Sequence, residues 1–338
     1  MHVLVTGHTG FKGAWLILLL RALGHEVSGI ALDPEPGALF TTAHLQADLK
    51  HDVRLDIRDA VALRESCERI APDAIMHMAA QPLVRRSYAE PRLTVETNVM
   101  GTLNLLEAAG AVANLRALIV ITTDKVYRNV NQVAGYREQD PLGGDDPYSA
   151  SKAMADLLST MWFRCYPGAP AAVARAGNVI GGGDVCQDRL LPDLMQAFAA
   201  QRVAAIRYPQ AVRPWQHVLD CLSGYCVLLD ALAGGRGMGS WNFGPDEGSF
   251  QTVATVADLA ASLWGPGAAW AAESGTHPHE ANLLALDAAA ATRELGWQPR
   301  LSFEQAVTWT VDWYRAAAQG GDPRTLASDQ VRAYLALS

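Results

Sequence analysis

The chain has 338 residues, half of them hydrophobic and 18% charged, which is enough for one large domain or two closely joined ones. A formal net charge of −8 argues against a nucleic-acid binder, although a local arginine cluster would still serve a small anion. The five cysteines (Cys67, Cys165, Cys186, Cys221 and Cys226) are odd in number and lack C-x-x-C spacing, so they suggest reduced thiols in a cytoplasmic protein and no metal site.

Val3-Leu4-Val5 reads as a strand ending at Gly7, followed by Thr6-Gly7-His8-Thr9-Gly10-Phe11-Lys12-Gly13 and a helix from about Phe11 to Leu23. The apolar run from Ala14 to Leu20 is far shorter than the roughly 20 residues of a membrane span and follows a glycine turn, so a buried first helix explains it. Val27 to Leu32 is a second strand, closed by Asp33-Pro34, which completes a βαβ unit. The alternation continues. Val53-Arg54-Leu55 leads to Asp56 and a helix near Ala60 to Ile70, and Ala74 to Met78 is a strand ending at Ala79-Ala80. A long helix is expected from about Pro91 to Gly110, a strand from Ala117 to Ile121, a helix from Tyr148 and a strand from Ala171 to Ala174. After residue 176 the pattern loosens, with helices expected at Pro192 to Ala200, Val218 to Leu232, Val253 to Leu263 and Phe303 to Ala318, and a strand at Trp241 to Gly244.

This order predicts an α/β protein with a doubly wound parallel sheet of the Rossmann kind and a smaller, interwoven substrate-binding part. We assign residues 1–176 with about 212–248 to the first and about 177–211 with 249–338 to the second.

Gly7, Gly10 and Gly13 follow a strand and open a helix, the context in which glycines let a backbone approach a pyrophosphate. Asp33 lies 20 residues beyond Gly13, where a carboxylate would accept the adenosine ribose hydroxyls and repel a 2′-phosphate, favouring NAD. Asp56 suits either the adenine amino group or a helix N-cap. Further on, Tyr148 and Lys152 share one helical face. The lysine charge would lower the tyrosine pKa, making it a usable base, and would anchor the nicotinamide ribose.

These segments resemble the extended short-chain dehydrogenase/reductase family, and within it the CDP-glucose 4,6-dehydratases. The resemblance spans almost the whole chain. Its most selective parts are Ala79 to Tyr88, Asn178 to Asp184 and Arg213 to Val218, joined by Thr122-Thr123-Asp124-Lys125. It implies that Thr9, Phe11, Ile57, Ala79, Ala80 and Asn98 also meet the NAD, and that a nucleotide sugar, CDP-glucose, is the substrate. It further implies a redox-neutral reaction. Tyr148 takes the proton of the sugar 4-hydroxyl, assisted by Thr123. Asp124 is the acid for the departing 6-hydroxyl and needs a raised pKa. Lys125 acts at C5 as base or as enolate stabiliser.

For the substrate, Arg213 and Asn178 match positions that grip a diphosphate. Arg189, Arg85 and His217 are further candidates, His217 being equally readable as a structural histidine. A 4-epimerase on the same scaffold is the nearest rival and would need only Tyr148 and Thr123. A non-catalytic NAD-binding protein is the more distant one. The resemblance also implies a homodimer through helices near 91–110 and 148–164.

Overall fold

The computed structural model describes residues 1–132, 134–273 and 284–337. Seven strands form one parallel sheet: β1 (His2–Thr6), β2 (Glu26–Ala31), β3 (Leu49–Arg54), β4 (Ala74–His77), β5 (Ala117–Ile121), β6 (Ala171–Ala176) and β7 (Gly239–Phe243). They lie in the order β7-β6-β5-β4-β1-β2-β3, the doubly wound arrangement expected. The chain winds outward from β1 to β3, returns to the middle, and winds the other way from β4 to β7. The reversal lies between β1 and β4, which pair from Val3 with Ala74 to Thr6 with His77. A crevice opens at the carboxyl ends of such a strand pair, and ligands bind there.

Burial on both faces explains why the strands read as continuous apolar runs rather than alternating ones. Val3, Leu4, Val5 and all of Ala117–Ile121 are buried. Helices Phe11–Ala22, Val218–Ala233 and Pro323–Leu335 cover one face, and Ala60–Ile70 and Gly101–Gly110 the other. The 91–110 segment is helical throughout, but Glu96–Met100 forms a π turn that the periodicity did not announce.

Helices Leu190–Ala199, Val253–Trp264 and Phe303–Ala318 pack around a second core that includes Leu194, Phe198, Val256 and Val307. The expected boundary at 249–338 reaches too far. Ala327, Val331 and Tyr334 of the last helix join the first core, and the Tyr334 hydroxyl donates to Asp220 at 2.8 Å. Among the described residues no helix is long and apolar enough to cross a membrane, and no His, Cys, Asp or Glu cluster could hold a metal ion.

Candidate active site

The crevice leads into a cavity of about 1260 Å³. Its floor is the turn after β1. Gly7 has φ +75°, and a Cβ there would lie 2.8 Å from the Ala79 nitrogen; on Gly13 it would lie 2.3 Å from the Gly7 carbonyl. No side chain fits either place, so the turn stays pressed against the end of β4. Gly10 begins the first helix without a side-chain cap, leaving first-turn N–H groups before Ala14 to a ligand. That combination fits a dinucleotide pyrophosphate.

Thr9 Oγ1 donates to the Leu32 carbonyl at 3.0 Å, tying the turn to the end of β2. Asp33 follows, with its side chain 88% exposed on the cavity wall and 3.5 Å from Arg54 Nε. Asp56 is not a helix N-cap. Asp59 caps the Ala60–Ile70 helix by accepting from Ala62 N at 3.0 Å. Asp56 is held instead by Arg58, through its backbone N–H and side chain, and that hydrogen bond is the main reason its carboxyl sits below the usual range. Asp56, Ile57, Ala79 and Ala80 line the cavity.

Asn98 requires a correction. It is 1% exposed and does not line the cavity. Its oxygen accepts from Gln81 N at 2.8 Å, and its amide donates to Gln81 O and to Ser151 Oγ at 3.1 and 2.8 Å. With these atoms engaged, Asn98 shapes the loop after β4 from behind.

The catalytic candidates converge from two elements. Asp146 caps the Pro147–Cys165 helix by accepting from Ser149 N at 2.9 Å, and Pro147 occupies its first turn. This start fixes Tyr148 and Lys152 on the face toward β5. From the end of β5 come Thr123, Asp124 and Lys125, in a short 3-10 turn that Thr123 caps. Thr123 Oγ1 donates to Asp124 Oδ1 at 2.9 Å.

Asp124 is 1% exposed, and burial raises its pKa against the opposing charges of Lys125 and Arg213. Its Oδ2 has no hydrogen-bond partner among the described residues, and a Cβ on Gly177 would approach it to 3.0 Å. A buried carboxyl whose pKa is raised, with one oxygen open, is suited to hold a proton and give it up.

Burial pushes Tyr148 up to about 12, with Thr123 and Arg189 opposing the rise. Lys152 Nζ donates to the Ile121 carbonyl at 2.9 Å, and burial, followed by the charge of Lys12, lowers it to about 8.

On the far side, Arg85, Asn178, Arg189 and Arg213 all line the cavity. Arg189 pairs with Asp184 at 3.0 Å and Arg85 with Asp188 at 2.8 Å. His217 does not reach the cavity. It is fully buried, its Nδ1 accepts from Leu219 N at 3.3 Å to cap the Val218–Ala233 helix, and burial lowers its pKa to about 3. It is a neutral structural histidine.

Two cavity residues, Lys12 and Arg207, and one beside the cavity, Arg54, carried no role in the sequence. Lys12 sits inside the glycine motif and donates to the Tyr225 hydroxyl at 2.9 Å. Arg54 reaches Asp33 from β3. Arg207 pairs with Asp188 at 2.8 Å. Lys12 was legible as a charge where an apolar residue would serve the turn. The other two depend on strand order and loop path, which no local motif encodes.

The family model for the NAD dependent epimerase/dehydratase family matches residues 3–244. A CDP-glucose 4,6-dehydratase from Salmonella typhimurium is 43% identical, with 98% of this chain and 96% of that protein covered. A dTDP-glucose 4,6-dehydratase from Xanthomonas campestris pv. campestris is 30% identical over 92% of each. The structure of the dTDP-glucose 4,6-dehydratase DesIV from Streptomyces venezuelae, with NAD and TYD bound, is 29% identical with a TM-score of 0.82, covering 96% of this chain and 100% of that one.

Proposed function

Since the chain belongs to the NAD dependent epimerase/dehydratase family, we propose that it is a hydro-lyase converting CDP-glucose to CDP-4-keto-6-deoxyglucose, a step of deoxysugar synthesis. NAD, which Gly7, Gly10, Gly13 and Asp33 would hold, would supply the acceptor for the C4 hydride and its donor to C6. The chain's own residues move the protons. Tyr148 accepts the proton of the 4-hydroxyl, which Thr123 orients. The new 4-ketone acidifies the C5–H bond, and Lys125 takes that proton or holds the enolate charge. Asp124 protonates the 6-hydroxyl as it leaves as water. Thr123 Oγ1 hydrogen-bonds Asp124 Oδ1, which ties the residue that orients the 4-hydroxyl to the acid that acts at C6. Arg213, Arg189 and Asn178 would hold the diphosphate, and Arg85 the outer part of the substrate.

The observation that carries this reading is the buried, open-sided Asp124 beside Lys125. Inversion at C4 needs no acid for a leaving hydroxyl, whereas elimination does. The choice of CDP-glucose is supported by the 43% identical relative. Residues 1–176 with about 212–248 would hold NAD, and the second core the nucleotide sugar. The exposed Val95, Met100, Met154, Leu157 and Met161 on the 91–110 and 147–165 helices support a homodimer through those faces. The unpaired cysteines support a cytoplasmic setting.

The reading is tested with CDP-glucose carrying deuterium at C4. The label should appear at C6 of the same molecule, with a solvent hydrogen at C5. Label retained at C4, or lost to solvent, would refute the hydride path.

A further inference from the structure

The mechanism leaves one buried charge pair without a task. Arg175 on β6 and Asp156 on the Pro147–Cys165 helix are 2% and 0% exposed. Arg175 Nε and Nη2 donate to the two Asp156 oxygens at 2.8 and 2.7 Å. Placing two charges out of water is a weak way to add stability, because desolvation offsets most of their attraction. What the pair does offer is fixed, two-pronged geometry.

That geometry meets both ends of the catalytic turn. Thr122, just before the turn, donates its Oγ1 proton to Asp156 Oδ2 at 3.0 Å. Tyr127, just after it, accepts at its hydroxyl from Arg175 Nη1 at 2.8 Å. The same hydroxyl donates to Asn242 Oδ1 on β7 at 2.7 Å, and its ring stacks on Tyr136 at 5.3 Å. Between these anchors lie only Thr123, Asp124, Lys125 and Val126.

We propose that Arg175 and Asp156 are positioning residues, clamping Thr122 and Tyr127 so that Asp124 and Lys125 keep the pose that water elimination requires. The proposal rests on the dehydratase reading. Tyr148, the base for C4 oxidation, is carried by another element, and Thr123, which orients the 4-hydroxyl, adjoins the Thr122 anchor and not the Tyr127 one. Loosening the clamp at Tyr127 therefore separates the two halves of the reaction: the sugar is still oxidised, but water leaves slowly.

Tyr127→Phe removes the hydroxyl and keeps the ring; Thr122→Val loosens the other end. Each should lower kcat with CDP-glucose roughly 10- to 100-fold with KM unchanged, since small misplacements of reacting groups cost that much. In a single turnover the absorbance of reduced nicotinamide should build up and persist, and Arg175→Lys should show the same signature. A purely structural role would not produce that split. The proposal is overturned if Tyr127→Phe and Thr122→Val, shown to be folded by circular dichroism, turn over normally. It is also overturned if, in Tyr127→Phe, oxidation and elimination fall together with no build-up. A wild-type protein that released no water would overturn the dehydratase reading and the clamp with it; failure of the clamp alone shows only in the variants.

Discussion

Asp124 concentrates the chemistry that separates elimination from simple inversion. Burial raises its pKa, and it must be protonated to act. Elimination should therefore be full below that raised pKa and fall as pH climbs through it. Asp124→Asn cannot supply the proton and should lose roughly 10²- to 10⁴-fold in turnover, yet still reduce NAD in one pass, as read by nicotinamide absorbance. Loss of that first reduction would instead place Asp124 in the oxidation step. Much at this scale was legible beforehand. Gly7, Gly13, Asp33, Tyr148 and Lys152 sit in short motifs whose spacing fixes their geometry, and the structure places them on one cavity. Asn98 and His217 misled because a sequence does not show which way a polar side chain turns. Both face inward, one onto the Gln81 loop and one onto a helix start.

At the scale of elements, the pattern of strand, turn and helix was readable because each period is local. The Glu96–Met100 π turn and the docking of Pro323–Leu335 onto the first core depend on distant partners and were not. The elements also bury titratable groups. His77 closes β4 between the Thr6 and Thr102 hydroxyls, His217 starts the Val218–Ala233 helix, and burial lowers both to about 3. Each stays neutral in the fold but takes a proton in the unfolded chain below pH 6.5, its ordinary value. The unfolded state thus binds more protons. Stability is complete above that pH and declines as pH falls toward 3, by about 1.4 kcal/mol per unit for each histidine. Denaturant unfolding at pH 7.5 and 5 should show a loss of about 2 kcal/mol from each. His217→Asn keeps a helix cap and should flatten that decline. An unchanged slope would mean that His217 is already protonated in the fold.

For the whole molecule, the proposed division of labour gives NAD to the crevice of the first core and the nucleotide sugar to the second, so the substrate would lie in the cavity between them. The exposed Met154, Leu157 and Met161 are where the proposed second copy would pack. Light scattering should report a dimer, and Leu157→Glu should shift it to monomer; a monomeric wild type would remove that assembly. Base identity was the least legible property, because no motif selects cytosine over other bases, and it rests on likeness to the 43% identical relative. The most direct test of the account is turnover of CDP-, dTDP-, UDP- and GDP-glucose with added NAD, read by mass spectrometry and NMR. The account predicts loss of one water from CDP-glucose, giving a 4-keto-6-deoxy sugar with NAD regenerated. An unchanged mass with inverted C4, or no turnover of CDP-glucose, would contradict it.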